Sequence, residues 1–199
     1  MSGILEQPTD GNQIAERLVE RLLASIHLLL VKGASPFEID QTLVDFGFAM
    51  GPLETQDLVG LEASYKSRKS SGVDRKSRKY LESGMMISDR MVQEGRLGKI
   101  AGVGWYRYPG GKGKVEDPLL EDLIREEAYF AGIEQKSFST DEIVPYVLSA
   151  TANEMKLILG ETASISLNEL DQIAVNALGF PHEKGSLLDY GSGTRDLVR

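Results

Sequence analysis

The sequence predicts an all-α fold with one short β-hairpin. Three observations carry that expectation. Apolar residues recur at helical spacing along the first third of the chain, three Ser-x-x-Glu boxes stand at the heads of apolar segments, and glycine closes most of those segments.

The first element is expected over residues 12–32. Ile14, Leu18, Leu22, Ile26 and Leu30 recur every fourth residue, and Val19, Leu23 and Leu29 widen the stripe. Gly33 is placed to end it with a left-handed cap. Ser35-Pro36-Phe37-Glu38 opens a second helix with a capping box, and that helix ends near Gly47. Gly51-Pro52 opens a third, closed by Gly60. A further helix runs through Met85, Met86 and Met91 to Gly95, followed by a glycine-rich loop to Gly104. Trp105-Tyr106-Arg107-Tyr108 reads as a short strand. Pro109-Gly110-Gly111-Lys112-Gly113 reads as its turn. Asp117-Pro118 caps and starts the next helix. The boxes Ser139/Glu142 and Ser166/Glu169 start two more, ending near Gly160 and Gly179.

Composition narrows the function classes. Of 199 residues, 41% are hydrophobic and 26% charged, the balance of a globular chain. The net charge of −8 argues against nucleic acid as a partner, because phosphate binding wants positive charge. There is no cysteine, hence no disulfide, thiolate nucleophile or thiolate metal site. Met1 to Asp10 carries neither a basic nor an apolar region, so no secretory signal is expected. The longest apolar run, Ile26–Val31, is far short of the roughly 20 residues of a membrane span. A cytoplasmic protein with no membrane partner is the expectation.

The chain also repeats itself. Residues 35–44 align without gaps on 166–175, with Ser, Glu, Asp, Gln and Val coinciding, and a Gly-Phe pair follows each copy. A long amphipathic helix precedes both. Two related helical units follow, residues 12–115 and 117–199, the second degenerate.

These stretches resemble one family. Gly47-Phe48-Ala49-Met50-Gly51-Pro52-Leu53-Glu54, Asp57-Leu58-Val59-Gly60-Leu61 and Gly95-Arg96-Leu97-Gly98 leading to Gly102-Val103-Gly104-Trp105-Tyr106 look like the C-terminal domain of 3-hydroxyacyl-CoA dehydrogenases. Asn153-Glu154, Glu169-Leu170-Asp171 and Val175-Asn176-Ala177-Leu178-Gly179-Phe180-Pro181 are similar to the second such domain of multifunctional fatty-acid oxidation enzymes. The resemblance implies an enzyme part that closes one wall of an acyl-CoA site in the NAD-dependent oxidation of 3-hydroxyacyl-CoA. It also implies homodimer contacts and a cofactor domain elsewhere, in a missing segment or on a separate NAD-binding dehydrogenase subunit. The family's Rossmann Gly-x-Gly-x-x-Gly loop and His–Glu pair have no counterpart here. No NAD site and no catalytic residue are expected on this chain. Its family Asn-Arg pair falls at Glu16-Arg17, or at Asn12 after a short insertion, and its Lys-Thr at Ile100-Ala101. Its second-copy Gly-Gly-Pro falls at Lys184-Gly185-Ser186. The positions expected to face substrate are Asn12, Glu16, Arg17, Gly51 and Pro52. The alternative is a diverged, non-catalytic dimerisation or interaction module of the same fold.

The remaining candidates have ordinary readings beside the chemical ones. His27 lies near the apolar face of the first helix, where packing is expected, and His182 sits beside Glu183 in a turn. Glu38 and Asp40, two apart on a helix, cannot converge on a metal, and Glu126-Glu127 reads as a solvated face. The loop Gly110 to Lys114 is either a phosphate cradle or a turn that needs glycine. The basic run through Arg75, Lys76, Arg78 and Lys79 is a solvated face or a docking surface for an acidic partner or an acyl-CoA.

Overall fold

A computed structural model describes residues 11–70, 85–162 and 164–192. The basic run at 75–79 lies outside them. Eight α-helices make up the described residues: α1 Gly11–Val31, α2 Pro36–Phe46, α3 Pro52–Val59, α4 Glu62–Ser70, α5 Met85–Gln93, α6 Pro118–Phe130, α7 Thr140–Glu161 and α8 Leu167–Leu178. The all-α reading stands.

Their starts show three grades of capping. At α8 the box is complete: the Ser166 hydroxyl accepts from Glu169 N–H at 3.3 Å, and Ser166 N–H donates to Glu169 Oε2 at 2.8 Å. At α7 Ser139 N–H donates to Glu142 Oε2 at 2.8 Å. At α2 the expected box does not close. Ser35 has extended geometry, φ −77° and ψ 140°, but its side chain makes no capping hydrogen bond. That helix starts on the fixed φ of Pro36. It stops at Gly47, whose φ of 133° suits glycine and whose N–H bonds back to Leu43 and Val44.

The chain divides into two compact units. One holds residues 23–144; the other holds the described residues up to Leu22 and from Pro145 onward. Both divisions fall inside helices, α1 and α7. Helix α6, which follows the first repeat copy in sequence, lies in the unit 23–144. Within that unit α2 packs on α3, α4 on α5 and α5 on α6. Arg90 of α5 donates to Glu127 at 2.9 Å and to Glu126 at 2.7 Å, which ties the supposed solvated face of α6 into the unit. Its core includes Leu29, Ile39, Leu43, Leu53, Ile87, Met91, Trp105 and Leu120. In the other unit Ile14, Leu18, Val147, Met155, Leu170 and Phe180 are buried, and Arg17 pairs with both Glu154 and Glu161.

The hairpin needs correction. Among the described residues there is no strand, only isolated antiparallel bridges at Gly98/Val103, Val103/Arg107 and Arg107/Val115. Arg107 and Val115 exchange two hydrogen bonds, of 3.0 and 2.9 Å, and the pairing goes no further. The reason is local. The N–H groups of Trp105 and Tyr106 are taken by a side-chain carboxylate, Asp57, and are lost to a ladder.

The α1 stripe is largely covered within the chain itself. Ile14, Leu18, Leu22, Ile26, Leu29 and Leu30 are all buried within the single chain, and Val19 and Leu23 are half-buried. Leu22 is 3% exposed. Leu22→Asp should therefore unfold the protein, at a cost of about 3 kcal/mol or more, and not merely separate subunits. The check is loss of the helical circular-dichroism signal at low denaturant; a folded variant of native stability would contradict the placement.

Candidate functional site

The unit 23–144 is organised around two buried aspartates, one at each end of α3. Asp40 lies on α2 with no exposed surface. Its carboxylate accepts from the N–H groups of Leu53 and Glu54, both at 2.9 Å, and from the Tyr106 hydroxyl at 2.9 Å. Helix α3 begins at Gly51-Pro52 and has no side chain of its own to cap it. Asp40 supplies the cap from the neighbouring helix and satisfies two N–H groups that would otherwise lack partners. A Cβ on Gly51 would stand 2.1 Å from the Asp40 Cγ, so only glycine fits there. Lys114 reaches in from the 109–113 turn, 2.7 Å from Glu54 and 3.8 Å from Asp40, with its ammonium 4.6 Å from the Tyr106 ring centre.

Asp57 sits in the last turns of α3 and is 1% exposed. It accepts from Trp105 N–H at 2.8 Å, Tyr106 N–H at 3.0 Å and the Tyr108 hydroxyl at 2.9 Å. A Cβ on Gly104 would stand 1.9 Å from Asp57 Oδ1, and one on Gly98 2.5 Å from the Asp57 carbonyl oxygen. Gly98 and Gly104 are thus required by close approach, and Gly98 by a φ of 116° as well. Arg96 closes the other side. It is nearly buried, donates twice to the Gly104 carbonyl, at 3.1 and 2.8 Å, and pairs with Asp117 at 2.8 Å. Asp117 also caps α6.

Burial dominates the electrostatics. It pushes the Asp57 carboxyl up to about 6 against three stabilising hydrogen bonds, and raises Asp40 in the same sense. It also holds the Tyr106 and Tyr108 hydroxyls above the usual phenol range, with the neighbouring aspartates adding to the effect. Both tyrosines therefore act as hydrogen-bond donors and not as phenolates. His27 has no exposed surface and is pushed down to about 4, again mainly by burial. Its Nε2 lies 3.3 Å from Gln56 Oε1, its Nδ1 3.2 Å from Met85 Sδ, and its ring 5.2 Å from that of Trp105. It packs as a neutral core residue.

The positions expected to face substrate divide between the units. Asn12 and Glu16 are exposed on α1. Arg17 belongs with them, but its guanidinium is committed to Glu161 and Glu154, which raise its pKa. Gly51 and Pro52 lie in the other unit and are buried, Gly51 against Asp40. Ile100, at the family's Lys-Thr position, is 99% exposed on a short 3-10 turn. His182 is exposed, 3.1 Å from Glu183. Gly110 and Gly111 take φ of 62° and 72°, so the 109–113 loop is a turn that needs glycine. Among the described residues no three His, Asp or Glu side chains converge as metal ligands. A small cleft lies beside the start of α2, lined by Ser35, Phe37, Trp105, Glu116 and Leu120 among others. Chemically the arrangement is a scaffold: its perturbed groups are sealed from solvent and hold backbone in place.

Comparison with known proteins explains where the scaffold comes from. Residues 14–108 match the family model "3-hydroxyacyl-CoA dehydrogenase, C-terminal domain". The chain carries a 3-hydroxyacyl-CoA dehydrogenase C-terminal domain. Every glycine and carboxylate of the α3 anchors lies inside that match. The peroxisomal bifunctional enzyme of Danio rerio is 34% identical over 193 residues, covering 90% of this chain and 26% of the relative. The Homo sapiens enzyme of that name is 32% identical with the same coverage. The fatty acid oxidation complex subunit alpha of Acinetobacter baumannii is 28% identical over 181 residues, covering 87% and 25%. This chain thus spans about a quarter of the length of these relatives. In fold it is similar to the dehydrogenase part of multifunctional enzyme 1 from C. elegans, with a TM-score of 0.69 at 24% identity, covering 86% of this chain and 37% of that one.

Two substitutions separate the anchor from its surroundings. Gly104→Ala drives a methyl into Asp57 and should cost about 3 kcal/mol or more. Tyr108→Phe removes one of three donors to Asp57 and should cost about 1 to 2 kcal/mol. Urea denaturation of the full chain measures both; an unchanged midpoint for Gly104→Ala would contradict the close approach.

Proposed function

We propose that this chain is the helical C-terminal part of a 3-hydroxyacyl-CoA dehydrogenase of fatty-acid β-oxidation. It supports the acyl site while a cofactor domain, on a further segment or a separate subunit, holds NAD. The family match over residues 14–108 carries the reading. The rigid anchoring of α3 supports it: a wall that closes on a substrate must not shift by an ångström when the substrate arrives. On this reading the exposed α1 positions Asn12 and Glu16 face acyl-CoA, and the described residues supply neither hydride acceptor nor general base. The chain works in the cytoplasm; the word peroxisomal belongs to the names of several relatives. No helix among the described residues is long and apolar enough to cross a membrane.

A second reading, a non-catalytic dimerisation or interaction module, is favoured by one cluster of departures. Ile100-Ala101 replaces the family's Lys-Thr, and Arg17 is spent on two carboxylates. Homodimerisation belongs to both readings. With the α1 stripe covered, the contact falls to exposed apolar residues such as Val59 and Ile100, 80% and 99% exposed.

Calorimetry discriminates the readings. The chain alone should give no heat with NAD, and a 3-ketoacyl-CoA should bind weakly and be lost in Asn12→Ala. A micromolar NAD site would overturn the division of labour, and no acyl-CoA binding would favour the interaction module. Sedimentation at micromolar concentration tests the dimer: a single species near 21.8 kDa would rule it out.

A further inference from the structure

Trp105 is the single tryptophan of the sequence and is 1% exposed. Its peptide N–H is held by Asp57, but its indole Nε1–H is buried and has no hydrogen-bond acceptor in the protein. Such a donor is rare in a folded core, because it has given up the water it held in the unfolded chain. The neighbouring imidazole does not take it. His27 Nε2 faces Gln56 Oε1 at 3.3 Å, and Nδ1 faces Met85 Sδ at 3.2 Å. The two rings are only 31° apart in tilt, 5.2 Å between centres, whereas an in-plane N–H needs an acceptor ring set across it. Trp105 also lines the cleft at the start of α2. Ser35 lines the same cleft and has a loose end of its own, since it takes extended N-cap geometry yet makes no capping hydrogen bond. The exposed Glu116 and Glu121 stand at the rim, and Pro36 and Leu120 supply apolar wall. The cleft measures about 10 Å³, the size of one water position and too small for an organic ligand.

We infer that this cleft is a binding site for one water molecule, which accepts from Trp105 Nε1–H and donates to the Ser35 hydroxyl. Its second proton goes to a rim carboxylate, Glu116 or Glu121, which gives the water the three bonds usual for a buried site. The bridge accounts for both loose ends together. The indole donor is satisfied, and the Ser35 hydroxyl is drawn into the cleft and away from the backbone N–H groups it would otherwise cap. Helix α2 then starts on Pro36 alone. The Tyr106 hydroxyl already lies 3.1 Å from the Pro36 carbonyl. Residues 105 and 106 therefore hold the start of α2 side by side, one through water and one directly.

Water-selective NMR on the nitrogen-15-labelled full chain tests the site. With one tryptophan in the sequence, the indole N–H resonance is unambiguous. It should show a cross-peak to water of opposite sign in laboratory-frame and rotating-frame spectra, the mark of a water held longer than the molecule tumbles. Ser35→Ala should abolish that cross-peak with the helical circular-dichroism signal intact, and Ser35→Thr, which keeps the hydroxyl, should retain it. No cross-peak in wild type, or one of the same sign in both spectra, which reports proton exchange, would overturn the inference. A cross-peak unchanged in Ser35→Ala would overturn it equally. Should Ser35→Ala fail to fold, a high-resolution crystal structure of the wild-type chain decides: a water oxygen is expected within about 3.2 Å of both Trp105 Nε1 and Ser35 Oγ, and density that places none there overturns the site.

Discussion

Helix α3 is only eight residues long, too short to hold its shape or place unaided. The carboxylate of Asp57 is what fixes it. Three donors from the 105–108 segment converge on that one group, in a core where each would be costly to leave unpaired. The arrangement dictates the rest of the segment. Gly104 and Gly98 must lack side chains to let it approach, and Arg96 must hold the Gly104 carbonyl from behind. The strand that Trp105 to Tyr108 would otherwise form is given up. Glycine, arginine, aspartate and the aromatic residues of this stretch therefore form one steric and electrostatic unit.

Asp40 completes the hold from the other end. Because Tyr106 donates its hydroxyl to Asp40 and its N–H to Asp57, a single residue bridges both anchors of α3. A buried carboxylate carries a desolvation cost that backbone N–H groups at a helix start partly offset. Lys114 adds an ammonium beside Asp40 from the half-buried rim. The outcome is a segment held by directional bonds rather than by area alone, which suits a wall whose position matters more than its strength.

Much of this was legible in the sequence, though unevenly. Helix spans, the Ser166 box, the Asp117 cap and the glycine stops follow from periodicity and local chemistry, which act within a few residues. The anchors were not legible, because Asp40 and Asp57 look in sequence like any polar residue on a helix. A faint signal existed for Asp40: α3 starts at Gly51-Pro52 with no capping side chain, so a cap had to come from elsewhere. The hairpin failed for a long-range reason, since an aspartate 48 residues earlier in the chain takes the N–H groups a partner strand would need. The width of the α1 stripe matches what the chain itself buries.

The internal repeat gains physical content from the same aspartate. Asp40 and Asp171 hold corresponding places in the two copies, one residue after a fully buried Ile39 or Leu170. Both tie their helix to the segment that follows. Asp40 takes the N–H groups of α3 directly, whereas Asp171 accepts from the Ser186 hydroxyl at 2.9 Å, and that hydroxyl accepts from Leu188 N–H at 3.2 Å. In the second copy a serine thus stands between the carboxylate and the backbone it secures, and what it secures is a 3-10 turn, Leu187–Ser192, where the first copy has an α-helix. Loss of the Gly-Pro start explains the difference. With Ser186 where the first copy has Pro52, the following backbone has no fixed φ to begin a helix, and the relayed hydrogen bond holds a shorter turn. The copies share a device, an aspartate that secures the next segment, and differ in how tightly it grips.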